Sequence, residues 1–137
     1  MLGINASIKL IIFTENRILN NRSASFKNKR AGECMYNILF GGAAGDGIET
    51  TASVFERMLK RSGCYVFSIR DFMSRVRGGH NFALLRFANK PLFAHKDELD
   101  GLVAFNLESY ELHKDKLKEN GFVLHDISIE INDPRAY

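Results

Sequence analysis

Cysteine is scarce in this sequence: its 137 residues hold two, Cys34 and Cys64. Two thiolates do not make an iron–sulfur cluster, which ordinarily takes four, and they complete a zinc site only with several histidines in support. His80, His95, His113 and His125 show no ligand spacing such as His-x-x-x-His, so metal binding is not expected. Without a secretory signal the cysteines read as thiols of a reducing compartment, the cytoplasm, although a single disulfide is compatible with the sequence. Long apolar runs are also missing. The best, Ile8 to Phe13, is six residues long and contains Lys9, against the ~20 needed to span a bilayer, and no integral membrane protein is expected. Nor does the body of the chain carry a basic excess. Of 19 Lys/Arg and 16 Asp/Glu, six and two fall in residues 1–35, leaving 13 and 14 from Tyr36 onward. The net charge of +3 therefore belongs to a tail. A nucleic-acid module carries its charge on the folded part, so nucleic acid is discounted as a partner.

What is present is the composition of one soluble globular domain, 45% hydrophobic and 26% charged. Residues 1–35 form a basic tail. Its stretch from Asn20 to Arg30 is polar, has no helical or strand period, and is expected to be disordered or to lie upstream of a true start at Met35. A targeting segment, or an appendage with a short strand at Ile8 to Phe13, are the other readings. From Met35 the pattern turns regular. Tyr36 to Phe40 is a short strand-forming run that breaks into Gly41-Gly42-Ala43-Ala44-Gly45-Asp46-Gly47. Ile48, Thr51, Ala52, Phe55, Met58 and Leu59 then recur at intervals of three and four, opposite Glu49, Glu56, Arg57 and Lys60, which predicts an amphipathic helix ending at Ser62-Gly63. Cys64 to Ile69 follows as a strand, giving a βαβ unit with two parallel strands. Asn81 to Phe87 and Leu102 to Phe105 read as further strands, Pro91 to Phe93 as a turn or edge segment, Glu108 to Asn120 as a helix and Phe122 to His125 as a last strand. The fold class is α/β: an open, mostly parallel sheet of Rossmann-like βαβ type with helices on its faces and room for an antiparallel hairpin within Asn81 to Phe93. Residues 36–137 make one domain, and the run from Ile131 to Tyr137 reads as the point where a longer domain is truncated.

Two segments carry candidate chemistry. Glycines after a first strand expose amides at a helix N-terminus and suit an anion. Gly42-x-x-Gly45-x-Gly47 nevertheless reverses the dinucleotide fingerprint, and Ile48 stands where a P-loop needs lysine. Asp46 would repel a phosphate on those amides unless its side chain points away or caps the helix. A tight strand-to-helix turn that packs closely or admits a partner's backbone explains the glycines equally well. The second segment, Arg70 to Asn81, follows the second strand and so lies at the carboxyl edge of the sheet, where ligands usually bind. Arg70, Arg75 and Arg77 with Gly78, Gly79 and His80 have the makings of a clamp for a phosphorylated or carboxylated group. Arg77 is the functional or interface candidate, while Arg70 and Arg75 read as part of a solvated loop whose arginines pair with a partner's carboxylates. His80 has no serine or cysteine nucleophile with an orienting carboxylate spaced beside it and reads as structural, so no catalytic residue is assigned.

Taken in order, Asn37-Ile38-Leu39-Phe40 into Gly41 to Ile48, then Ser74-Arg75-Val76-Arg77-Gly78-Gly79-His80-Asn81 and Leu85-Arg86-Phe87, resemble the gamma domain of 2-oxoacid:ferredoxin oxidoreductases, most closely the form fused ahead of an alpha domain. The resemblance covers nearly all of residues 36 to 126. It implies oxidative decarboxylation of a 2-oxoacid with coenzyme A to an acyl-CoA, electrons passing through iron–sulfur clusters to ferredoxin, with thiamine diphosphate as electron sink. It implies alpha and beta parts as partners that hold these cofactors, so that this chain binds none firmly and is inactive alone. Gly42, Gly45, Gly47, Arg77, Gly78 and Gly79 would then face the partner domains or admit coenzyme A. A free-standing coenzyme-binding module and a purely structural interaction domain are the alternatives.

Overall fold

A computed structural model describes residues 35–72 and 80–137 of the chain. The expected basic tail, Met35 apart, and Arg75, Arg77, Gly78 and Gly79 lie outside the described residues. Strand β1 (Met35–Gly42) leads through the glycine turn into helix α1 (Ile48–Arg61), and β2 (Tyr65–Asp71) follows. Strands β3 (Asn81–Ala88) and β4 (Leu99–Ala104), helix α2 (Leu107–His113), a 3₁₀ turn (Lys114–Lys116) and β5 (Leu117–His125) complete the order.

The five strands form one sheet in the order β2-β3-β1-β4-β5. β1 pairs parallel with β4 and β4 parallel with β5, while β3 runs antiparallel to both of its neighbours, β1 and β2. Four strands thus share one direction and the sheet is open and mostly parallel, as expected. The parallel relation of β1 and β2 holds with β3 inserted between them. The antiparallel element therefore comes from β3 set between these two strands. It does not come from a hairpin with Pro91 to Phe93, which belong to no strand.

β1 is buried over its last six residues because both faces of the sheet are covered there. Alternation sends Ile38 and Phe40 to one face and Leu39 to the other. On the first face α1 inserts Ile48, Ala52, Phe55 and Leu59, one apolar stripe at helical spacing. Phe55 meets Phe87 edge-on at 5.8 Å and 82° between ring planes, and Phe40 at 5.7 Å, so its truncation to alanine costs about 3–5 kcal/mol. The helix ends as its sequence predicts. Gly63 takes φ 83°, its N–H donates to Lys60 O, and the Cys64 N–H donates to Leu59 O, the paired bonds of a Schellman stop. On the second face Tyr110 of α2 joins Leu39, Leu102 and Val123.

α2 corrects the sequence reading. Helix was expected from Glu108 to Asn120, yet regular α-helix stops at His113, and Asn120-Gly121 lie inside β5. Leu117 is the cause: it is buried and pairs with Leu99 of β4, whereas Gly101 pairs with Phe122, so the intervening residues of β5 bulge out of register. The last residues also find a place beside the sheet. Ala136 bridges Val123 in parallel, the Val123 N–H donates to Arg135 O, and the Tyr137 N–H donates to Val123 O. The run read as a point of truncation thus lies along the outer edge of β5.

Candidate functional site

Strand directions bring the two candidate segments to one edge. β1, β2 and β4 end there, and β3, running the other way, begins there, so that Asn81 pairs with Gly42 and Phe82 with Asp71. The glycine turn therefore neighbours Asp71 and Asn81, the described residues that flank the arginine-bearing segment.

Within the turn, Gly45 and Gly47 have φ of 106° and 86°, a region that side-chain-bearing residues avoid, and Gly47 stands at the N-cap position without a side-chain cap. Gly42 serves close approach: a Cβ there would lie 2.8 Å from Phe105 Cβ and 2.9 Å from Asp46 Oδ2. Asp46 decides the chemistry of the turn. Its carboxylate folds back over Gly42 and accepts the Ala43 N–H at 2.7 Å, so a turn amide that would meet an anion is already occupied by the chain's own negative charge. A shallow cavity of about 330 Å³ beside it is lined by Ala44, Ile48, Glu49, Phe72 and Asn81 among others. Glu49 adds a second carboxylate at this helix N-terminus. Phe72, half-exposed, gives the edge an apolar wall.

Arg70 is engaged within the chain. Its Nη2 donates to Glu56 Oε2 at 2.7 Å, and its Nε lies 3.4 Å from Glu49 Oε2. The Glu56 carboxyl is held below its usual range by the hydrogen bond from Lys60 first, then by the charges of Lys60 and Arg70, against the effect of burial. Arg70 thus stands in β2 rather than in a solvated loop, and the carboxylates it meets belong to its own chain, not to a partner.

His80 proves less isolated than its sequence neighbourhood implies. Its Nε2 lies 2.7 Å from Nε2 of His113 on α2, and its Nδ1 lies 3.3 Å from Ser109 Oγ. Ser109 Oγ donates to Asn106 Oδ1 at 2.6 Å, and Asn106, the N-cap of α2, also accepts the Ser109 N–H at 2.9 Å. Burial is the main reason that both imidazoles sit below the usual histidine range. For His80 the charges of Glu108 and Asp71 partly oppose it; for His113 the neighbouring His80 and Lys116 add to it and bring the value to about 4. Both rings are therefore neutral at pH 7. Two histidines 33 residues apart leave no spacing signal, and only the packing of α2 beside β1 and β3 brings them together. Among the described residues no group of three or more His, Cys, Asp or Glu is arranged to hold a metal.

Comparison with known proteins gives this edge a context. Residues 37–136 match the family described as pyruvate ferredoxin/flavodoxin oxidoreductase. A 2-oxoacid:ferredoxin oxidoreductase subunit alpha from Sulfolobus sp is 32% identical over 75 residues, which make up 55% of this chain and 12% of that protein. Among solved structures, the chain is similar to the 2-oxoglutarate:ferredoxin oxidoreductase of Magnetococcus marinus, solved with 2-oxoglutarate, coenzyme A and succinyl-CoA bound. The TM-score is 0.66 at 25% identity, over 74% of this chain and 19% of that one. The gamma subunit of a keto/oxoacid ferredoxin oxidoreductase from Geobacter sulfurreducens shares the fold, with TM-score 0.62 at 21% identity, over 74% of this chain and 57% of the other. The chain thus spans about an eighth of the length of the curated relative.

Proposed function

Because the chain belongs to the pyruvate ferredoxin/flavodoxin oxidoreductase family, we propose that residues 36–137 act as the gamma-type domain of a 2-oxoacid:ferredoxin oxidoreductase. In this reading the domain completes the enzyme by docking the carboxyl edge of its sheet against the alpha and beta parts. The whole enzyme oxidatively decarboxylates a 2-oxoacid to an acyl-CoA and passes the electrons to ferredoxin. Thiamine diphosphate and the iron–sulfur clusters belong to the rest of the enzyme, in keeping with a chain of two cysteines. The cytoplasm is its compartment.

The observation that carries the docking role is the Asp46–Ala43 hydrogen bond. A turn whose amide is taken by its own carboxylate, with Glu49 beside it, is poorly suited to the phosphates of coenzyme A. It is well suited to a partner backbone that approaches the glycines and covers Phe72. Gly45 and Gly47 are accordingly proposed as partner-facing, with Gly42, buried against Phe105, setting the turn behind them. Arg77, Gly78 and Gly79, which lie between β2 and β3 in sequence, are the positions left to meet an anionic group of coenzyme A.

The test is co-expression of the full chain with candidate alpha and beta parts, followed by 2-oxoacid-dependent reduction of a viologen dye. The expected result is co-purification and dye reduction by the assembly, with no turnover by the chain alone. Dye reduction by the isolated chain, or an assembly equally active without it, overturns the reading.

A further inference from the structure

The two edges of the sheet are treated differently. β5 has its outer side covered by the chain's own residues at Arg135 to Tyr137. β2 is the other edge, and among the described residues no strand pairs with its outer side. Such an edge presents a row of backbone donors and acceptors to any extended chain, and stable proteins usually blunt it with proline, lysine or a bulge. β2 has none of these. Tyr65-Val66-Phe67-Ser68-Ile69-Arg70-Asp71 pairs with β3 at every residue without a register shift, and its charges are confined to the last two positions. The Arg70 charge is not bare, since it is held by Glu56 and Glu49 of α1.

We propose that the β2 edge is the interface of a homodimer, in which β2 of one copy pairs antiparallel with β2 of a second about a two-fold axis at Ser68. Pairing of the whole strand fixes that register, because it is the one that sets Tyr65 across from Asp71 of the second copy. Phe67 then faces Ile69 of the second copy, an aromatic beside a β-branched residue, on both sides of the axis. Val66 lies across from Arg70, whose charge is already neutralised within its own copy. The Tyr65 phenol, half-exposed in the single chain, is a hydrogen-bond donor set across from the Asp71 carboxylate, an acceptor. No like charges face each other anywhere along the strand. An isologous contact of this kind is self-complementary, as two-fold symmetry requires, and it closes rather than propagating into fibres. The inference is independent of the enzymatic reading, since it rests on the edge alone.

Ser68 is the residue that meets its own copy, which makes the register directly testable with the full 137-residue chain in analytical ultracentrifugation. The wild-type chain is expected to sediment at twice its 15.5 kDa at a few hundred micromolar. Ser68→Lys and Ser68→Glu each place like charges across the axis and are expected to weaken the dimer about tenfold or more. An equimolar mixture of the two is expected to restore it as a heterodimer, with circular dichroism of each variant confirming the fold. A monomeric wild-type chain overturns the proposal, as does a dimer that neither substitution weakens. A mixture that stays as dissociated as its components overturns the two-fold register and the proposal with it.

Discussion

His80 Nε2 and His113 Nε2 lie 2.7 Å apart, and the groups around them determine which ring donates. Ser109 uses its only hydroxyl hydrogen on Asn106 Oδ1, so its oxygen is left to accept from His80 Nδ1–H. A neutral His80 protonated on Nδ1 must accept at Nε2. His113 therefore carries its proton on Nε2, and its buried Nδ1, which has no partner among the described residues, is a bare lone pair. One directed chain of hydrogen bonds thus ties the start of β3 to the N-cap of α2 across the end of β1.

This pair makes the fold sensitive to mild acid. Folded His113 sits at about 4, below the ~6.5 of an exposed histidine, and His80 is lowered as well. Between those limits the unfolded chain binds more protons than the folded one, so stability is complete above about pH 6.5 and declines as pH falls toward about 4. The His113 share is on the order of 2–3 kcal/mol. Glu108 and Asp71, which face His80, and Lys116, near His113, modulate the window without reversing its sign. Urea unfolding across this range should show the slope in the wild type and a much flatter profile in His113→Phe. Equal slopes would remove the histidine from the account.

The direction of the hydrogen-bond chain is set by Asn106. Asn106→Ala frees the Ser109 hydroxyl to donate to His80 Nδ1, which moves the His80 proton to Nε2 and the His113 proton to Nδ1. Nitrogen-15 chemical shifts of the two imidazoles should exchange their protonated and bare positions accordingly. Loss of the cap costs about 1 kcal/mol in the same variant. Unchanged tautomers would mean that the serine does not direct the chain.

The glycine turn separates two kinds of cost. At Gly47 no neighbour lies within 4 Å of an added Cβ, so Gly47→Ala carries only the backbone penalty of a left-handed residue, about 1–2 kcal/mol. At Gly42 a methyl group collides with Phe105 and displaces the Asp46 carboxylate from the Ala43 amide. Gly42→Ala should therefore lower the unfolding midpoint further than Gly47→Ala, and in an assembled enzyme it should also weaken retention of the domain. Equal losses from the two variants would show that the turn is not closely packed at Gly42.

The same contrast explains how much was legible in the sequence. The β1 run, the turn, the α1 stripe and the Gly63 stop are local, fixed by residues within a few positions of each other, and each stands where periodicity and capping place it. The placement of β3 between β1 and β2 is a long-range choice that no local period encodes. The early end of α2 follows from Leu117 pairing with Leu99, again a partner remote in sequence. For the site, the two segments are visible as glycine and arginine clusters, and the Gly42 and Asn81 pairing brings the end of the second beside the first. The Ser109, His80 and His113 chain is invisible to spacing because its members come from the start of a strand and from two turns of a helix.

Acid acts a second time through Asp133, which Tyr110 of α2 contacts. Its carboxylate, nearly buried, accepts from Arg135 Nη2 at 2.7 Å, from Arg135 Nε at 2.9 Å and from Tyr110 Oη at 3.0 Å. The hydrogen bonds from Arg135 are the main reason its carboxyl is held far below the usual range, and they outweigh burial. A carboxyl lowered in this way contributes stability that is fully present above the unfolded value of ~3.9 and fades as pH falls below it. Arg135→Ala removes the cation and its hydrogen bonds to the carboxylate, a loss of about 1 kcal/mol at neutral pH. Because the residues bonded to β5 are held in place by this cluster, amide exchange at Val123 should accelerate in the same variant. The difference between wild type and variant should narrow on going from pH 7 to pH 3, since protonation removes from the wild type what the substitution has already taken. A difference that stays constant over that range would mean that packing, rather than the charge on Asp133, holds the segment against the sheet.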